Sequence, residues 1–475
     1  MDADLIWRDA LELRALYAAH AVTPVEMTAA ALARIERYNG VLNAFVVVDH
    51  EGALAAARAS TARWQRQAPW SSLDGQPVTI KDLVDVAGLP TRCGSQTTAA
   101  LPAAHDAPVA ARLREAGCII LGKTTTPEFG WKGQTDSALS GITRNPWHSA
   151  HTPGGSSGGA AAALAAGIGT LAHGNDGGGS VRIPASSCGL FGIKPTFGRV
   201  PHDGHKSPFA TLVASGPLTR SVADAAAMLN EMAKPDAGDC FALPYDGCDY
   251  LAGLDTGVEG LRIGVSLDFA EARPDAEIAD CVNAAAQTFA TLGAHVESVG
   301  PLTTALRPRF ELYWLAGFAN TLRSLPRPQW DLLDPGYRAL AEQGLQVSAA
   351  ELIAGEAARI ELARSMSLFH SRYDLLLTPT QPHTPVLAAL PYHVPGNDRW
   401  TDATVYTVAF NYTGQPAATI RCGMAANGMP IGLQIVGPKY AEARILRAAR
   451  AYEKTQDMRW PPPALQRALE ALNPK

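Results

Sequence analysis

The sequence predicts an α/β protein. Segments rich in β-branched and apolar residues alternate with segments whose apolar residues recur at helical spacing. Residues 259–268 and 294–300 fit strands, and residues 274–293 between them fit a capped helix, so this part predicts a βαβ unit with parallel strands. No internal repeat and no low-complexity linker divides the 475 residues. The sequence therefore favours one large domain over two or three smaller ones.

Composition restricts the classes of partner. The chain has 40 Lys plus Arg against 45 Asp plus Glu and a formal charge of -5, without the basic stripe of a nucleic-acid-binding protein. No stretch approaches the length of an apolar membrane span, and the first residues lack the basic start of a signal peptide. The seven cysteines are scattered and odd in number, which predicts reduced thiols in a cytoplasmic protein. The histidines show no HExxH or comparable spacing, so no metal site is predicted.

Other elements follow from periodicity and end signals. Thr23 and Pro24 fit an N-cap and first turn. Strands are predicted within residues 76–90 and over 118–122. Helices are predicted for residues 4–19, 24–38, 51–68, 107–116, 304–325 and 348–370. Residues 1–68 are thus expected to form an N-terminal helical segment packed on the main body.

One stretch concentrates glycine in front of a serine. Residues 173–182 read HGNDGGGSVR, which places Ser180 directly behind Gly177, Gly178 and Gly179. Glycine permits strained backbone and close approach of other atoms, at an entropic cost. If Ser180 is a nucleophile, the amides of these glycines and of Ser180 itself form a nest of donors for an oxyanion. A flexible turn that happens to end in serine is the alternative.

Lys81 places a charge inside the apolar segment PVTIKD. Lysines mostly avoid interiors because burial disfavours the ammonium form. One interpretation is a lysine at the end of a strand that reaches water, paired with Asp82. The other is a lysine at the mouth of a site, whose pKa is lowered until it accepts a proton near neutral pH.

A second glycine-serine segment allows competing motifs. The long irregular run 123–151 leads into TPGGSSGG and an Ala-rich helix, and loops of this length tend to be functional. Ser156 and Ser157 each stand in a GxSxG match, but the nucleophile elbow requires an apolar strand immediately before it, which this sequence lacks. Residues 167–172 match GxGxxA, yet they follow a helix where a dinucleotide fingerprint follows a strand.

In combination these segments resemble the amidase signature family of serine hydrolases. The resemblance rests on PVTIKDLVDVAGLPTRCGS, GGSSGGAAAALAAG and GNDGGGSVRIPASSCGLFGIKPTFGR, with later matches at 216–230, 374–382, 410–423 and 429–438. It covers roughly residues 5–460. It implies a single amidase signature domain over 1–475, with a mixed central sheet covered by helices on both faces and without a cofactor.

The resemblance also implies roles for particular residues. The family's triad falls on Ser180 as nucleophile, on Ser156 as a bridging serine that follows a cis peptide bond, and on neutral Lys81 as base. Gly177, Gly178 and Gly179 would then form the oxyanion hole. The reaction implied is hydrolysis of a carbon–nitrogen bond through an acyl-enzyme.

Two charged positions beside the nucleophile match the family as well. Asp176 and Arg182 are interpreted as a structural pair that holds the loop, with direct substrate contact as the alternative. Asp136, in GQTDSALSG, departs from the asparagine often found there in relatives.

Aromatic side chains are candidates for a substrate pocket, although ordinary core packing is an equal alternative for each. The candidates are Phe129, Trp131, Phe209, Tyr313, Trp314, Tyr406 and Phe410. Such a pocket would suit aryl or hydrophobic amides. Because relatives cleave anilides, carbamates (urethanes) or oligoamides, these substrates are expected as well. An ester would also react. A small-molecule substrate and a monomer or homodimer are expected.

The rival function is the A subunit of a tRNA-dependent amidotransferase, which hydrolyses glutamine and whose core motifs are nearly the same. Here TPEFGWKGQTDSALSG lacks the serine- and asparagine-rich form of that protein, and SPFATLVASGPLTR lacks its SLDQIGP-like run. These departures favour a free hydrolase. A catalytically silent binding protein is disfavoured because all three triad positions are intact.

Overall fold

A single mixed sheet of eleven strands forms the centre of the molecule. The structure is a computed structural model that describes residues 5–203, 211–269, 272–302, 306–390 and 401–472. The strands of the sheet are β1 (Phe45–Val48), β2 (Pro77–Lys81), β3 (Ile119–Thr124), β6 (Leu171–Asp176), β7 (Phe191–Lys194), β8 (Ala214–Thr219), β9 (Arg262–Val265), β10 (His295–Ser298), β11 (Leu375–Pro379), β12 (Ala417–Met424) and β13 (Pro430–Val436). A separate hairpin of β4 (Asp136–Ser137) and β5 (Gly141–Ile142) lies in the long irregular run.

The order of the strands across the sheet is β1-β3-β2-β6-β8-β7-β12-β13-β11-β9-β10. The pairs β2–β3, β2–β6, β9–β11 and β9–β10 are parallel. The remaining pairs are antiparallel. The sheet is therefore mixed, as expected.

Helices cover both faces of the sheet. They are α1 (Ala10–Ala18), α2 (Pro24–Leu42), α3 (His50–Gln65), α4 (Pro108–Glu115), α5 (Gly158–Ala165), α6 (Arg182–Cys188), α7 (Val222–Met232), α8 (Ala276–Thr291), α9 (Leu306–Ser324), α10 (Pro335–Gly344), α11 (Ala349–His370), α12 (Val408–Tyr412), α13 (Glu442–Glu453) and α14 (Pro463–Ala471).

Successive residues of one strand pack against the helices on opposite faces of the sheet. In β3, Ile120 packs in a core with α4, α7, α8 and α13, whereas Ile119 and Leu121 pack with α2, α3, α5 and α14. In β11, Leu376 packs with α9 to α12 on the face opposite to its two neighbours. This alternation follows from the two-residue period of a strand.

Most predicted elements are present with small shifts of their ends, but the helix predicted over 4–19 is a 3-10 helix at Leu5–Trp7 followed by α1, which begins at Ala10. Thr23 caps α2 through a hydrogen bond to the Glu26 amide, with Pro24 in the first turn. The predicted βαβ unit is β9, α8 and β10, and its strands are parallel. The N-terminal helical segment expected over 1–68 contains α1, α2 and α3 as helices, and in addition one strand that was not expected, Phe45–Val48, which forms β1 at the edge of the sheet. Three of these four residues are valines, which favour strands.

Helix α5 crosses the core at close range. All eight of its residues are buried, and most are alanine or glycine. A Cβ added at Gly159 would lie 2.5 Å from the Thr125 amide nitrogen and 2.6 Å from the Ala44 carbonyl oxygen. Since both atoms belong to the backbone, they cannot rotate away, and only glycine fits at this crossing.

We expect Gly159→Ala to destabilise the protein by about 1–3 kcal/mol, the usual cost of overpacking a core. Gly40→Ala is the matched control, because Gly40 lies in α2 and no atom lies within 4 Å of its added Cβ. That control should instead stabilise the helix by about 0.5–1 kcal/mol. Thermal unfolding of the two variants measures the difference, and equal midpoints would contradict the close crossing.

Candidate active site

The candidate site lies where two parallel strands end. Lys81 is the last residue of β2, and Asp176 is the last residue of the neighbouring β6. From Asp176 the chain makes the glycine turn to Ser180 and enters α6. Ser156 precedes α5 and follows a cis Gly155–Ser156 peptide bond. Separate segments of the chain thus meet at the carboxyl edge of the sheet, where α/β proteins commonly bind ligands.

Lys81 contacts Ser156 directly. Its Nζ lies 2.7 Å from Ser156 Oγ and 3.4 Å from the Asn175 carbonyl oxygen. The side chain is fully buried, and this burial lowers the pKa of Lys81 to about 7, against a smaller opposing effect of the Asp176 charge. An amine with this pKa is substantially uncharged near neutral pH.

The alternative pairing of Lys81 with Asp82 does not form. Asp82 instead lies 3.2 Å from Lys123 Nζ, which also donates to Thr91 Oγ1 at 2.8 Å. In the part of the chain that the structure describes, no carboxylate lies within ion-pair distance of Lys81. The two lysines are both buried, but only Lys123 has its charge neutralised by a partner.

Ser156 and Ser180 line the same cavity, which has a volume of about 600 Å³. Ser180 is 8% exposed and Ser156 is 2% exposed, and the cavity that they share is a route by which substrate reaches both. Among the described residues, Ser180 Oγ makes no hydrogen bond to Ser156. Catalytic hydrogen bonds are often long without substrate and tighten once it binds.

The glycine turn offers fewer amide donors than the sequence suggested. The Gly179 amide already donates to Asp176 Oδ1 at 2.7 Å, so it is not available to an oxyanion in this conformation. Gly179 also has a φ of +133°, and a Cβ there would lie 2.4 Å from Thr407 Oγ1. Gly177 lines the large cavity and Gly178 a smaller one beside it. The expected nest is thus reduced to Gly177, Gly178 and Ser180.

The expected pair of Asp176 and Arg182 is present, and both side chains are fully buried. All five N–H donors of the guanidinium have acceptors on Asp176, Thr407, Gln434 and Asn411. Burial acts to raise the pKa of Asp176, but the charge and hydrogen bonds of Arg182 outweigh it and hold that pKa well below its usual range. Neither side chain is among the described residues that line the cavity, and Asp176 also accepts hydrogen bonds from the Gly179 and Val181 amides of the turn.

The candidate pocket residues separate into groups. Phe129 and Trp314 line the large cavity. Trp131 lines the smaller cavity, which Ser180 also lines. Tyr406 is buried in the core and donates to the Leu267 carbonyl oxygen, so the structure does not bring it to either cavity. Phe209 lies outside the described residues.

Two further candidates also lie elsewhere. Phe410 stacks on Phe269 in the core, and the Tyr313 hydroxyl donates to Glu356. Asp136 is paired with Lys132, whose Nζ lies 2.7 Å from its Oδ2. The acid therefore stabilises the long loop and does not line the cavity.

Sequence reasoning missed the polar wall of the cavity. Asn320, Thr321 and Ser324 contribute it from the last turns of α9. The sequence signal for this wall was the helical spacing of the three polar residues on a helix that is otherwise partly apolar. His202 and Cys93 also line the cavity, and nothing in their local sequence indicated it.

Metal ligation and membrane spanning find no support in the described residues. No group of three or more His, Cys, Asp or Glu side chains is placed to hold a metal ion there. In that same part of the chain, every helix is too short or too polar to cross a bilayer.

A comparison with known proteins identifies a matching family and similar relatives. The Amidase family profile matches residues 26–446. The chain is 35% identical over 472 residues to the A subunit of the glutamyl-tRNA(Gln) amidotransferase from Myxococcus xanthus (strain DK1622), covering 94% of this chain and 97% of that one. It is 34% identical over 460 residues to an acylamidase of Rhodococcus erythropolis, covering 95% and 96%.

The fold agrees as well. A solved bacterial aryl acylamidase of the amidase signature family superposes with a TM-score of 0.89 at 28% identity, covering 99% of both chains. The architecture is thus that of the amidase signature enzymes. The chain belongs to the amidase family, and it is a hydrolase that acts on carbon–nitrogen bonds.

Breaking the buried pair should weaken the whole site. Asp176→Asn leaves Arg182 buried without a counter-charge, for which we expect a loss of about 3–5 kcal/mol. Glu361→Gln breaks an exposed pair with Arg364 and should cost only about 0.2–1 kcal/mol. Calorimetric midpoints compare the two variants. Similar losses would show that the buried pair does not hold the turn.

Proposed function

We propose that this chain is a free-standing hydrolase of small amides that works through Ser180, Ser156 and Lys81. The observation that supports it most is the 2.7 Å contact from Lys81 Nζ to Ser156 Oγ, beside a cavity that Ser180 also lines. A buried lysine without a carboxylate partner is costly for stability. A proton-accepting role gives a reason for its presence.

The chemistry proceeds through an acyl-enzyme. Lys81 accepts a proton from Ser156, which accepts one from Ser180 as its Oγ attacks the carbonyl carbon. The amides of Gly177, Gly178 and Ser180 donate to the developing oxyanion. The relay then returns the proton to the leaving nitrogen as the carbon–nitrogen bond breaks. Water repeats the attack and releases the acid.

The pH dependence should identify the base. We expect kcat/KM for an anilide to rise through about pH 7 and level off above it, because only uncharged Lys81 accepts a proton and burial lowers its pKa to about 7. Lys81→Ala should lower kcat/KM by about 10³-fold or more, and the rise of kcat/KM near pH 7 should disappear.

Lys194→Met is the control for this profile. Burial also lowers the pKa of Lys194 to about 7, but its Nζ donates to the Pro195 carbonyl oxygen and it is not among the described residues of the cavity. The control should therefore keep the rise of kcat/KM near pH 7. If this rise disappears in Lys194→Met, or persists in Lys81→Ala, the group that titrates near pH 7 is not Lys81.

The rival function is glutamine hydrolysis as the A subunit of an amidotransferase. It is supported by the identity of 35% to the Myxococcus protein, which is no lower than the identity to the acylamidase. Sequence similarity alone therefore does not separate the two. Against the rival stand the two departures expected from the sequence, in the loop TPEFGWKGQTDSALSG and in the run SPFATLVASGPLTR. In that loop, Asp136 forms an ion pair with Lys132.

A substrate panel with the purified chain separates the two functions. We expect acetanilide to be cleaved without a partner protein, and Ser180→Ala to abolish cleavage while the circular dichroism spectrum stays unchanged. Glutamine should be a poor substrate. Glutamine turnover without anilide turnover would favour the amidotransferase role, and normal turnover by Ser180→Ala would refute the nucleophile. The cytoplasmic location, the monomer or homodimer, and the absence of a nucleic-acid partner stay predictions.

A further inference from the structure

Two cavities of very different size meet at Ser180. The larger has a volume of about 600 Å³, within the range of pockets that bind drug-sized ligands. The smaller has a volume of about 20 Å³, barely more than one water molecule requires. Gly130 and Trp314 line both cavities, as Ser180 does, so the two spaces adjoin at the nucleophile.

The walls of the small cavity are firmly held. Ile183 and Phe310 are each 1% exposed, and Trp131 is 6% exposed. Phe310 packs on Tyr412 and on Trp314, with ring centroids 5.6 and 5.7 Å apart. Because a close-packed interior yields little to an added methylene group, the small cavity cannot widen cheaply.

The direction of the relay decides which part of the substrate occupies each cavity. Ser156 must return a proton to the leaving nitrogen, and it lines the large cavity without being among the described residues of the small one. The leaving amine therefore belongs in the large cavity. The acyl substituent is then assigned to the small cavity, the other space that Ser180 lines.

We propose that this enzyme is selective for short acyl groups, no longer than acetyl, carried on large amines. The inference rests on the proposed function and narrows its substrate class. In the acylation step the bond from Ser180 Oγ to the carbonyl carbon forms and the carbon–nitrogen bond breaks. The hydroxyl proton of Ser180 passes through Ser156 to the amine. The amine leaves through the large cavity, and water then hydrolyses the short ester that remains.

Two substrate series measured with the full chain test this selectivity. In the first, anilides carry formyl, acetyl, propionyl, butyryl and hexanoyl groups, and kcat/KM should fall about tenfold or more for each methylene beyond acetyl. In the second, acetyl amides of methylamine, aniline and naphthylamine should be cleaved with no penalty for the larger amines. Equal rates for acetyl and hexanoyl anilides would overturn the acyl limit alone. No cleavage in either series would overturn the proposed function and the limit with it.

Three variants test whether the small cavity sets the limit on the length of the acyl group. Phe310→Ala should raise the ratio of butyryl to acetyl kcat/KM by about tenfold or more. Ile183→Val, which removes only one methyl group, should raise it less and keeps the test valid if Phe310→Ala does not fold. Phe129→Ala is the matched control, because Phe129 lines only the large cavity among the described residues. It should change the preference between amines and leave the acyl ratio unchanged. A shift of the acyl ratio in Phe129→Ala but not in the other two variants would refute the assignment.

Discussion

The buried ion pair of Asp176 and Arg182 holds the glycine turn against the rest of the protein. Arg182 connects the end of β6 to α12 through the Thr407 carbonyl oxygen and Asn411, and to β13 through Gln434. Buried charges are unfavourable unless their hydrogen bonds are complete, and those of Arg182 are complete. The turn that carries Ser180 is therefore fixed by residues far apart in the sequence. Its rigidity preorganises the amides that would donate hydrogen bonds to an oxyanion. Such preorganised donors supply a large part of the rate enhancement in sites of this kind.

The distribution of charge around the site follows from the same geometry. Asp82 neutralises Lys123, and Asp176 is committed to Arg182, so Lys81 has only a more distant carboxylate to favour its ammonium form. Burial then dominates and lowers the pKa of Lys81. An amine on a strand end thus becomes a candidate base because the neighbouring acids are already paired.

Much of the fold and of the central site could be predicted from the sequence. The glycine-serine segments and Lys81 carry a family pattern, and strand and helix patterns placed the βαβ unit and the N-cap at Thr23. Helix α8, which was predicted to be capped, has no side-chain hydrogen bond at its N-cap residue Asp275. The pocket was harder to predict. Tyr406 was a reasonable candidate as an aromatic residue near a motif, yet it packs in the core. Asn320 was not singled out, although α9 brings it to the cavity wall. Whether a residue on a helix face lines the pocket depends on the elements that pack around that helix.

The sequence by itself determined the class of fold and the residues from which the site is built, because local periodicity and short motifs carry that information within a few residues. The tertiary structure decided which charges pair, which glycine amides remain free, and how much space lies on each side of Ser180. Asp82 pairs with Lys123 instead of the adjacent Lys81, and the Gly179 amide is taken by Asp176. These outcomes depend on distances between segments that are remote in the chain, and no local pattern encodes such distances.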